Sequence, residues 1–144
     1  YETICGGTGA GENFNGADAV QSHMTNSRLT DPELLEFIYP VMLDKFSIRK
    51  DSGGKGKSNG GNGVIRNIIF LERMTVSILS GRRQTKPFGI KGGTSGQSGE
   101  TKIKKYNGEI KVLSSVDTEE VDKGDIIMVN TPGGGGYGSK TYKN

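Results

Sequence analysis

The sequence predicts a mainly β fold with one short helix, in which a sandwich- or barrel-like sheet is joined by long glycine-rich loops. Apolar, β-branched runs of strand length recur along the chain, and a single segment carries helix-capping signals. Glycine makes up 24 of the 144 residues, more than twice its usual share of about 7%. Because these glycines cluster between apolar runs without a fixed period, they indicate ordered loops and exclude a collagen-like chain.

The helix is predicted around residues 32–37. Thr30 is expected to cap it, and Glu33 stands three residues later, as in a capping box. Pro32 suits an early helical position, and Pro40 ends the helix.

Most of the remaining apolar runs are predicted to be strands. They are residues 41–48, 64–71, 74–80, 102–106, 109–113 and 126–130. Runs 64–71 and 74–80 are predicted to pair as a hairpin across Glu72-Arg73. Runs 102–106 and 109–113 are predicted to pair across Asn107-Gly108, the dipeptide most typical of a tight hairpin turn.

The chain is predicted to be a single module over residues 1–138, followed by a frayed tail at residues 139–144. It begins with Tyr1 instead of Met, so we expect it to be a piece of a larger protein. Its loops at residues 51–63, 81–99 and 132–138 are glycine-rich. Loops of this length in a compact domain usually have a function or a partner.

Charge and composition exclude several classes of protein. The formal net charge of +3 comes from interleaved basic and acidic residues, which argues against nucleic-acid binding. No apolar run approaches the roughly 18 residues of a membrane span, and no signal-peptide pattern is present. One cysteine cannot form an internal disulfide, which is typical of a reducing compartment. We therefore expect a cytoplasmic protein without a membrane or nucleic-acid partner.

Two glycine motifs resemble nucleotide-binding loops without matching them. Residues 53–58 end in the Gly-Lys-Ser of a P-loop, but Asp51 stands where its first glycine belongs, and no helical pattern follows. A P-loop needs that helix, because its N-terminus supplies donors to phosphate. Residues 6–11 resemble a dinucleotide fingerprint, but Glu12 occupies the place of its last glycine. Neither loop is predicted to bind a nucleotide.

No metal site is predicted. His23 is the only histidine and Cys5 is the only cysteine, so the usual zinc ligand spacings are missing. His23 is either a structural hydrogen-bonding group or a polar group at a substrate or subunit surface. Cys5 is either a packing residue or a nucleophile, and no Cys-His-acid arrangement supports the second role.

An ordered set of phrases covers nearly the whole chain up to Gly138 and resembles the carboxyl-terminal part of the hydantoinase B/oxoprolinase family. The phrases are Tyr1-Glu2-Thr3-Ile4, residues 6–11, residues 16–20, His23-Met24-Thr25-Asn26-Ser27-Arg28, Tyr39-Pro40-Val41, residues 46–49, Asp51-Ser52-Gly53-Gly54, residues 60–64, residues 77–83 and residues 130–138. Each phrase alone is weak, and their order and spacing make the resemblance specific.

That resemblance implies part of a large cytoplasmic enzyme that opens a 5-oxoproline or hydantoin ring in an ATP-dependent reaction. In that family ATP chemistry belongs to an A-type half. Metal, in the related acetone-type carboxylases, belongs to an Asp- and His-rich region of the B-type half. Neither cofactor is therefore expected in this chain. Its expected partners are the rest of the B-type half, an A-type half or subunit, and a small cyclic amide. The isolated chain is expected to be inactive.

Eight residues are candidates for contacts with a substrate or another subunit, and no catalytic residue is assigned, because no complete set of nucleophile, base and oxyanion donors is present. The candidates are His23, Asn26 and Arg28 as polar groups, Asp51, Gly53 and Gly54 as a shaping loop, and Arg82 and Arg83 as an anion contact. One alternative is a subunit-interaction module of an acetone-type carboxylase. Another is a ligand-binding β domain with exposed aromatics, for which the chain has no Trp.

Overall fold

The computed structural model describes residues 1–22 and 25–139. Within that part the chain forms one helix and seven strands, so the predicted mainly β fold is confirmed. The elements are α1 Pro32–Ile38, β1 Val41–Arg49, β2 Gly63–Phe70, β3 Met74–Leu79, β4 Glu100–Lys104, β5 Ile110–Leu113, β6 Val116–Val121 and β7 Ile126–Asn130. Of the predicted tail, only Ser139 is among the described residues.

Helix α1 begins one residue later than the capping motif suggests. Asp31 is its N-cap, and the Asp31 carboxylate accepts the amide N–H of Glu33 at 3.0 Å. The prediction that Thr30 caps the helix is wrong, because Asp31 directly precedes Pro32, the first helical residue, and is itself a strong cap. Across the described residues, no helix has the length and hydropathy needed to span a membrane.

The main sheet has five antiparallel strands in the order β1-β2-β7-β4-β5, and β3 pairs with β6 in a separate two-stranded sheet. The predicted hairpin between residues 64–71 and 74–80 is therefore wrong. β2 is mainly apolar apart from Arg66 and Asn67, which is typical of an interior strand, and β1 and β7 occupy its two edges. β3 alternates half-buried and exposed residues, so it packs in the other sheet with only one face inward.

The second predicted hairpin is confirmed: β4 pairs with β5 across Asn107-Gly108, and Gly108 has a φ of 91°. Strand β6 was not predicted. Its sequence, Val-Asp-Thr-Glu-Glu-Val, has three acidic residues and no apolar run.

The two sheets share one core. Of the two predicted arrangements, sandwich and barrel, the structure has the sandwich-like one. Neither edge strand of the main sheet, β1 or β5, pairs with the other, so no barrel closes. The buried core residues are Leu35, Val41, Phe70, Ile103, Leu113, Val121, Ile127 and Val129. β3 adds Met74, Val76 and Ile78 from the second sheet.

The opposite face of the main sheet is not covered by the described residues. Directly paired residues share a face, so the register places Met42, Ile69, Ile126, Lys104 and Ile110 in one row across all five strands. No residue of that row is buried. We call this surface the open face; the next row adds Lys45, Asn67, Met128, Lys102 and Val112.

One end of the sheet gathers the glycine-rich loops. β1 and β7 end there, while β2 and β4 begin there. The loops at residues 50–62, 80–99 and 131–138 therefore meet at this end, and both cavities described below lie among them.

Candidate functional site

The loops at this end of the sheet pack backbone against backbone. We call residues 6–11, 16–17, 53–61, 88–96 and 132–138 the glycine layer. The amide of Gly134 donates to the carbonyl of Gly61 at 2.8 Å, and the amide of Gly54 donates to the carbonyl of Gly134 at 2.8 Å. The amide of Gly136 donates to the carbonyl of Thr94 at 2.9 Å. The layer thus joins segments that are far apart in sequence.

Residues 133–136 lie at the centre of the glycine layer and are all buried. A Cβ atom on Gly134 would lie 1.8 Å from the carbonyl oxygen of Thr8, and one on Gly135 would lie 1.8 Å from that of Phe88. Any side chain here would overlap backbone atoms that cannot rotate away. The high glycine content therefore reflects close packing of main chains, which composition alone did not reveal.

The P-loop-like segment, residues 53–58, has every amide N–H engaged inside the protein. Its six acceptors are, in order, Asn62 Oδ1 at 3.0 Å, Gly134 O at 2.8 Å, Thr94 Oγ1 at 2.7 Å, Asn59 Oδ1 at 3.2 Å, Gly138 O at 2.9 Å and Tyr137 O at 3.0 Å. The next regular element is strand β2, not a helix. A loop whose donors are all occupied cannot cradle phosphate oxygens as a P-loop does, so these residues do not fit ATP.

Gly53 and Gly54 are buried within the glycine layer, while Asp51 lies at its border. Asp51 has a φ of 60°, and its carbonyl oxygen accepts the side-chain amide of Gln97 at 3.1 Å. Its carboxylate is exposed and lies 3.5 Å from the ammonium group of Lys55. Asp51 therefore shapes the loop through its backbone and presents its charge to solvent.

Arg82 and Arg83 line different cavities. Arg82 has a φ of 56° and lines a cavity of about 380 Å³ with Phe88 and the glycine layer. Its guanidinium carbon lies 5.9 Å from the centre of the Phe88 ring, which is a cation–π distance. Arg83 lines a second cavity of about 290 Å³ together with Arg49.

Arg49 is the residue that sequence analysis missed. It is the last residue of β1, and its Nη1 donates to the carbonyl oxygens of Ser98 at 2.8 Å and Thr131 at 3.0 Å. Its Nη2 donates to Oε1 of Gln97 at 3.1 Å. The available sequence signal was an arginine at a strand end next to a glycine loop, which is too common to single out.

The cavity shared by Arg49 and Arg83 holds two guanidinium groups and one carboxylate, that of Glu100. Burial lowers the pKa of Arg83, and the neighbouring charge of Arg49 lowers it further. Burial also lowers the pKa of Arg49, and the carboxylate of Glu100 partly offsets that shift. The two guanidinium groups are therefore close enough to repel each other in a partly desolvated space.

The predicted polar run before α1 is only partly described. His23 lies outside the described residues. Asn26 and Arg28 are both exposed, and the amide of Asn26 donates to the carbonyl of Ser22 at 2.7 Å. Neither residue lines the Arg82 cavity or the Arg83 cavity.

Cys5 is buried, and burial raises the pKa of its thiol, although its backbone contact partly opposes that shift. A raised thiol pKa favours the protonated form, which suits a packing residue better than a nucleophile. Over residues 1–22 and 25–139, no group of three His, Cys, Asp or Glu side chains is placed to hold a metal ion.

Comparison with known proteins gives a match along nearly the whole chain. The family model for hydantoinase B/oxoprolinase matches residues 1–140. A 5-oxoprolinase of Dictyostelium discoideum is 51% identical over 140 residues, which are 97% of this chain and 11% of that protein. The chain therefore spans about a tenth of the length of this relative.

Two solved structures share the fold. An acetone carboxylase in its nucleotide-free state superposes with a TM-score of 0.78 at 20% identity, covering 92% of this chain and 22% of that one. The ATP-dependent caprolactamase of Pseudomonas jessenii superposes with a TM-score of 0.75 at 27% identity, covering 94% of this chain and 24% of that one.

Proposed function

Because the chain belongs to the hydantoinase B/oxoprolinase family, we propose that it is the carboxyl-terminal portion of an ATP-dependent enzyme that opens a cyclic amide, 5-oxoproline or a hydantoin. The observation that carries this proposal is the 51% identity to a 5-oxoprolinase along 97% of the chain. The chain accounts for 11% of that relative's length, so the reaction requires parts that lie elsewhere in the enzyme.

The geometry supports a division of labour between this chain and the rest of the enzyme. The glycine layer offers main-chain walls and few side chains, and residues 53–58 do not fit ATP. Ring opening would proceed by attack of water on a carbonyl that another part of the enzyme activates by phosphorylation. The contribution of this chain would be to line the site: Asn26 and Arg28, with His23, would hydrogen-bond the carboxylate and amide groups of the substrate.

The open face supplies the surface for the rest of the enzyme. Met42, Ile110 and Val112 on this face are 43%, 56% and 61% exposed. Ile69, Ile126 and Met128 add further apolar side chains, while Lys102 and Lys104 of β4 lie between these and β5. A sheet face with this much apolar surface is normally covered by a second layer. The 5-oxoprolinase of Dictyostelium discoideum is about nine times longer than this chain, and we propose that the remainder of the B-type half packs there, with an A-type half completing the enzyme. Such an ATP-using assembly would work in the cytoplasm.

The test uses the chain assembled with the rest of the B-type half and the A-type half. ATP-coupled ring opening is measured with 5-oxoproline, a hydantoin and caprolactam, and carboxylation is measured with acetone and bicarbonate. We expect turnover of 5-oxoproline or the hydantoin, and none from the 144-residue chain alone. Turnover of acetone alone would replace this proposal with the carboxylase alternative.

The assignment of the polar run is tested in the same assembly. Arg28→Ala should weaken transition-state binding by about 1.5–3 kcal/mol, the usual scale of a charge-assisted hydrogen bond. The matched control is Arg73→Ala, which removes an exposed arginine directly before β3. If Arg28→Ala and Asn26→Ala lower the melting temperature and the activity in proportion, these residues are structural and do not line the site.

A further inference from the structure

Two guanidinium groups share the 290 Å³ cavity at the end of the main sheet, and no described carboxylate lies within salt-bridge distance of either one. Arg49 is bound by two backbone carbonyls and a glutamine oxygen. Arg83 donates to Oγ1 of the buried Thr101 at 3.3–3.4 Å and to the carbonyl of Gly81 at 3.1 Å. Neutral acceptors therefore hold both groups, and their charges remain uncompensated at short range.

Each of these arginines keeps unused donor capacity. A guanidinium carries five N–H donors, and three hydrogen bonds are formed by each of Arg49 and Arg83 within the described residues. Two N–H groups on each side chain are left for a ligand. An anion between them would also relieve the mutual repulsion that lowers the pKa of Arg83.

The backbone around Arg83 is shaped to hold its guanidinium in place. A Cβ atom on Gly99 would lie 2.1 Å from Nη1 of Arg83, so a side chain at that position would displace the guanidinium. The amide of Gly99 donates to the carbonyl of Arg82 at 2.9 Å, and Arg82 itself has a φ of 56°. A positive φ is a strained conformation for a residue other than glycine, and it persists only where the surrounding structure enforces it.

The rest of the lining distinguishes between kinds of anion. Val112 contributes an exposed apolar side chain to the lining, whereas Leu113 is buried in the core beneath it. Glu100 adds a carboxylate, which also pairs with Lys102 at 2.9 Å. The Glu100 carboxylate disfavours a dianion such as phosphate, and the Val112 side chain suits the hydrocarbon part of an organic acid. A planar carboxylate also matches the fork of a guanidinium.

We propose that Arg49 and Arg83 form a binding site for a small organic monocarboxylate, whose carboxylate lies between the two guanidinium groups and whose aliphatic part contacts Val112. This site is independent of the ring-opening reaction, because a carboxylate can bind here whether or not the assembled enzyme hydrolyses a cyclic amide.

The experiment follows the arginine Nε–Hε signals of the 144-residue chain by NMR during titration with acetate, propionate, 5-oxoproline, phosphate and chloride at constant ionic strength. We expect saturable shifts of the Arg49 and Arg83 signals with the carboxylates, and only a non-saturating drift with chloride. Absence of saturation with every carboxylate would overturn the proposal, as would phosphate binding as tightly as propionate.

Matched variants locate the binding. Arg83→Lys and Arg49→Lys keep the charge but remove the planar fork, and each should weaken carboxylate binding by at least about 10-fold, the fold-change of one charge-assisted hydrogen bond. Arg73→Lys, at an exposed position, should bind as the parent does. Unchanged affinity in both site variants would overturn the assignment. If Arg83→Lys does not fold, the affinity of Arg49→Lys and the titration of the parent chain decide whether the carboxylate binds at this site.

Discussion

Nη2 of Arg66 lies 2.7 Å from Oε1 of Glu2, and Nε of Arg66 lies 3.0 Å from Oε2 of the same carboxylate. The Arg66 side chain is 1% exposed and that of Glu2 is 13% exposed. The guanidinium carbon also lies 5.2 Å from the centre of the Phe46 ring. A bidentate ion pair therefore attaches the start of the chain to β2, the second strand of the main sheet.

Glu2→Ala should destabilise the fold, because it leaves the Arg66 guanidinium buried without a counter-charge. The expected loss is about 3 kcal/mol, at the lower end of the usual range for a broken buried pair, since Glu2 reaches solvent. Urea unfolding followed by circular dichroism measures it.

The matched control for that prediction is Asp51→Asn, which breaks the exposed pair with Lys55. Exposed ion pairs contribute less than about 1 kcal/mol, and asparagine tolerates the positive φ of position 51. An equal loss of unfolding free energy in the two variants would show that the buried Glu2–Arg66 pair stabilises the fold no more than an exposed pair does.

Gly134→Ala should destabilise the glycine layer, because the new Cβ would meet the carbonyl oxygen of Thr8 at 1.8 Å. We expect a loss of about 3 kcal/mol, the upper range for overpacking. Gly81→Ala is the control, since a Cβ on Gly81 meets no atom within 4 Å, and a change between zero and a gain of about 1 kcal/mol is expected there. Thermal unfolding of both variants measures the difference, and similar melting temperatures would contradict tight packing at Gly134.

Acid should weaken the fold through Asp125. Burial pushes the pKa of this carboxyl up, but the amides of Asp122 and Tyr106 and the ammonium group of Lys105 outweigh burial and hold the pKa below its ordinary value of 3.8. A depressed folded-state pKa stabilises the fold above the unfolded-state value, and this contribution disappears as the pH falls through the folded-state value.

The measurement for Asp125 is the free energy of unfolding of the parent and of Asp125→Asn across the acid range. The variant should be less stable near neutral pH, and the difference between the two proteins should shrink as the pH falls below 3.8. A difference that stays constant through the acid range would contradict an ionised Asp125 as the cause.

Lys57→Ala should leave nucleotide binding unchanged, because the amides of residues 53–58 already donate within the protein. Calorimetric titration of the 144-residue chain with Mg-ATP should show no heat of binding in either protein. Micromolar binding in the parent that is lost in Lys57→Ala would establish a phosphate site in this loop.

Sequence patterns predicted the positions of the strands better than the pairing between them. The Asn107-Gly108 turn specifies its hairpin locally, so that pairing was predictable. Glu72-Arg73 carries no comparable signal, and β2 and β3 separate because the mainly apolar β2 is buried inside the main sheet. β6 could not be predicted from the sequence, because acidic residues separate its few apolar residues and leave no apolar run.

The candidate site was less predictable than the fold. Arg83 could be named from its place beside a long loop, but its cavity is completed by Arg49, which lies 34 positions earlier in the chain. Only the tertiary structure brings the end of β1 next to the loop that precedes β4. The glycines were recognised as loop residues, whereas their packing against Thr8 and Phe88 depends on contacts between distant segments.

Among the described residues, the last strand in sequence is β7, which lies in the middle of the main sheet, between β2 and β4. During synthesis, the hairpins β1–β2 and β4–β5 emerge first, and the edges of β2 and β4 that will face β7 remain unpaired until residues 126–130 arrive. Such edges are templates for pairing with other chains. The edges of β2 and β4 that face β7 must therefore stay protected until residues 126–130 have been synthesised, and premature termination before Ile126 would release an aggregation-prone product.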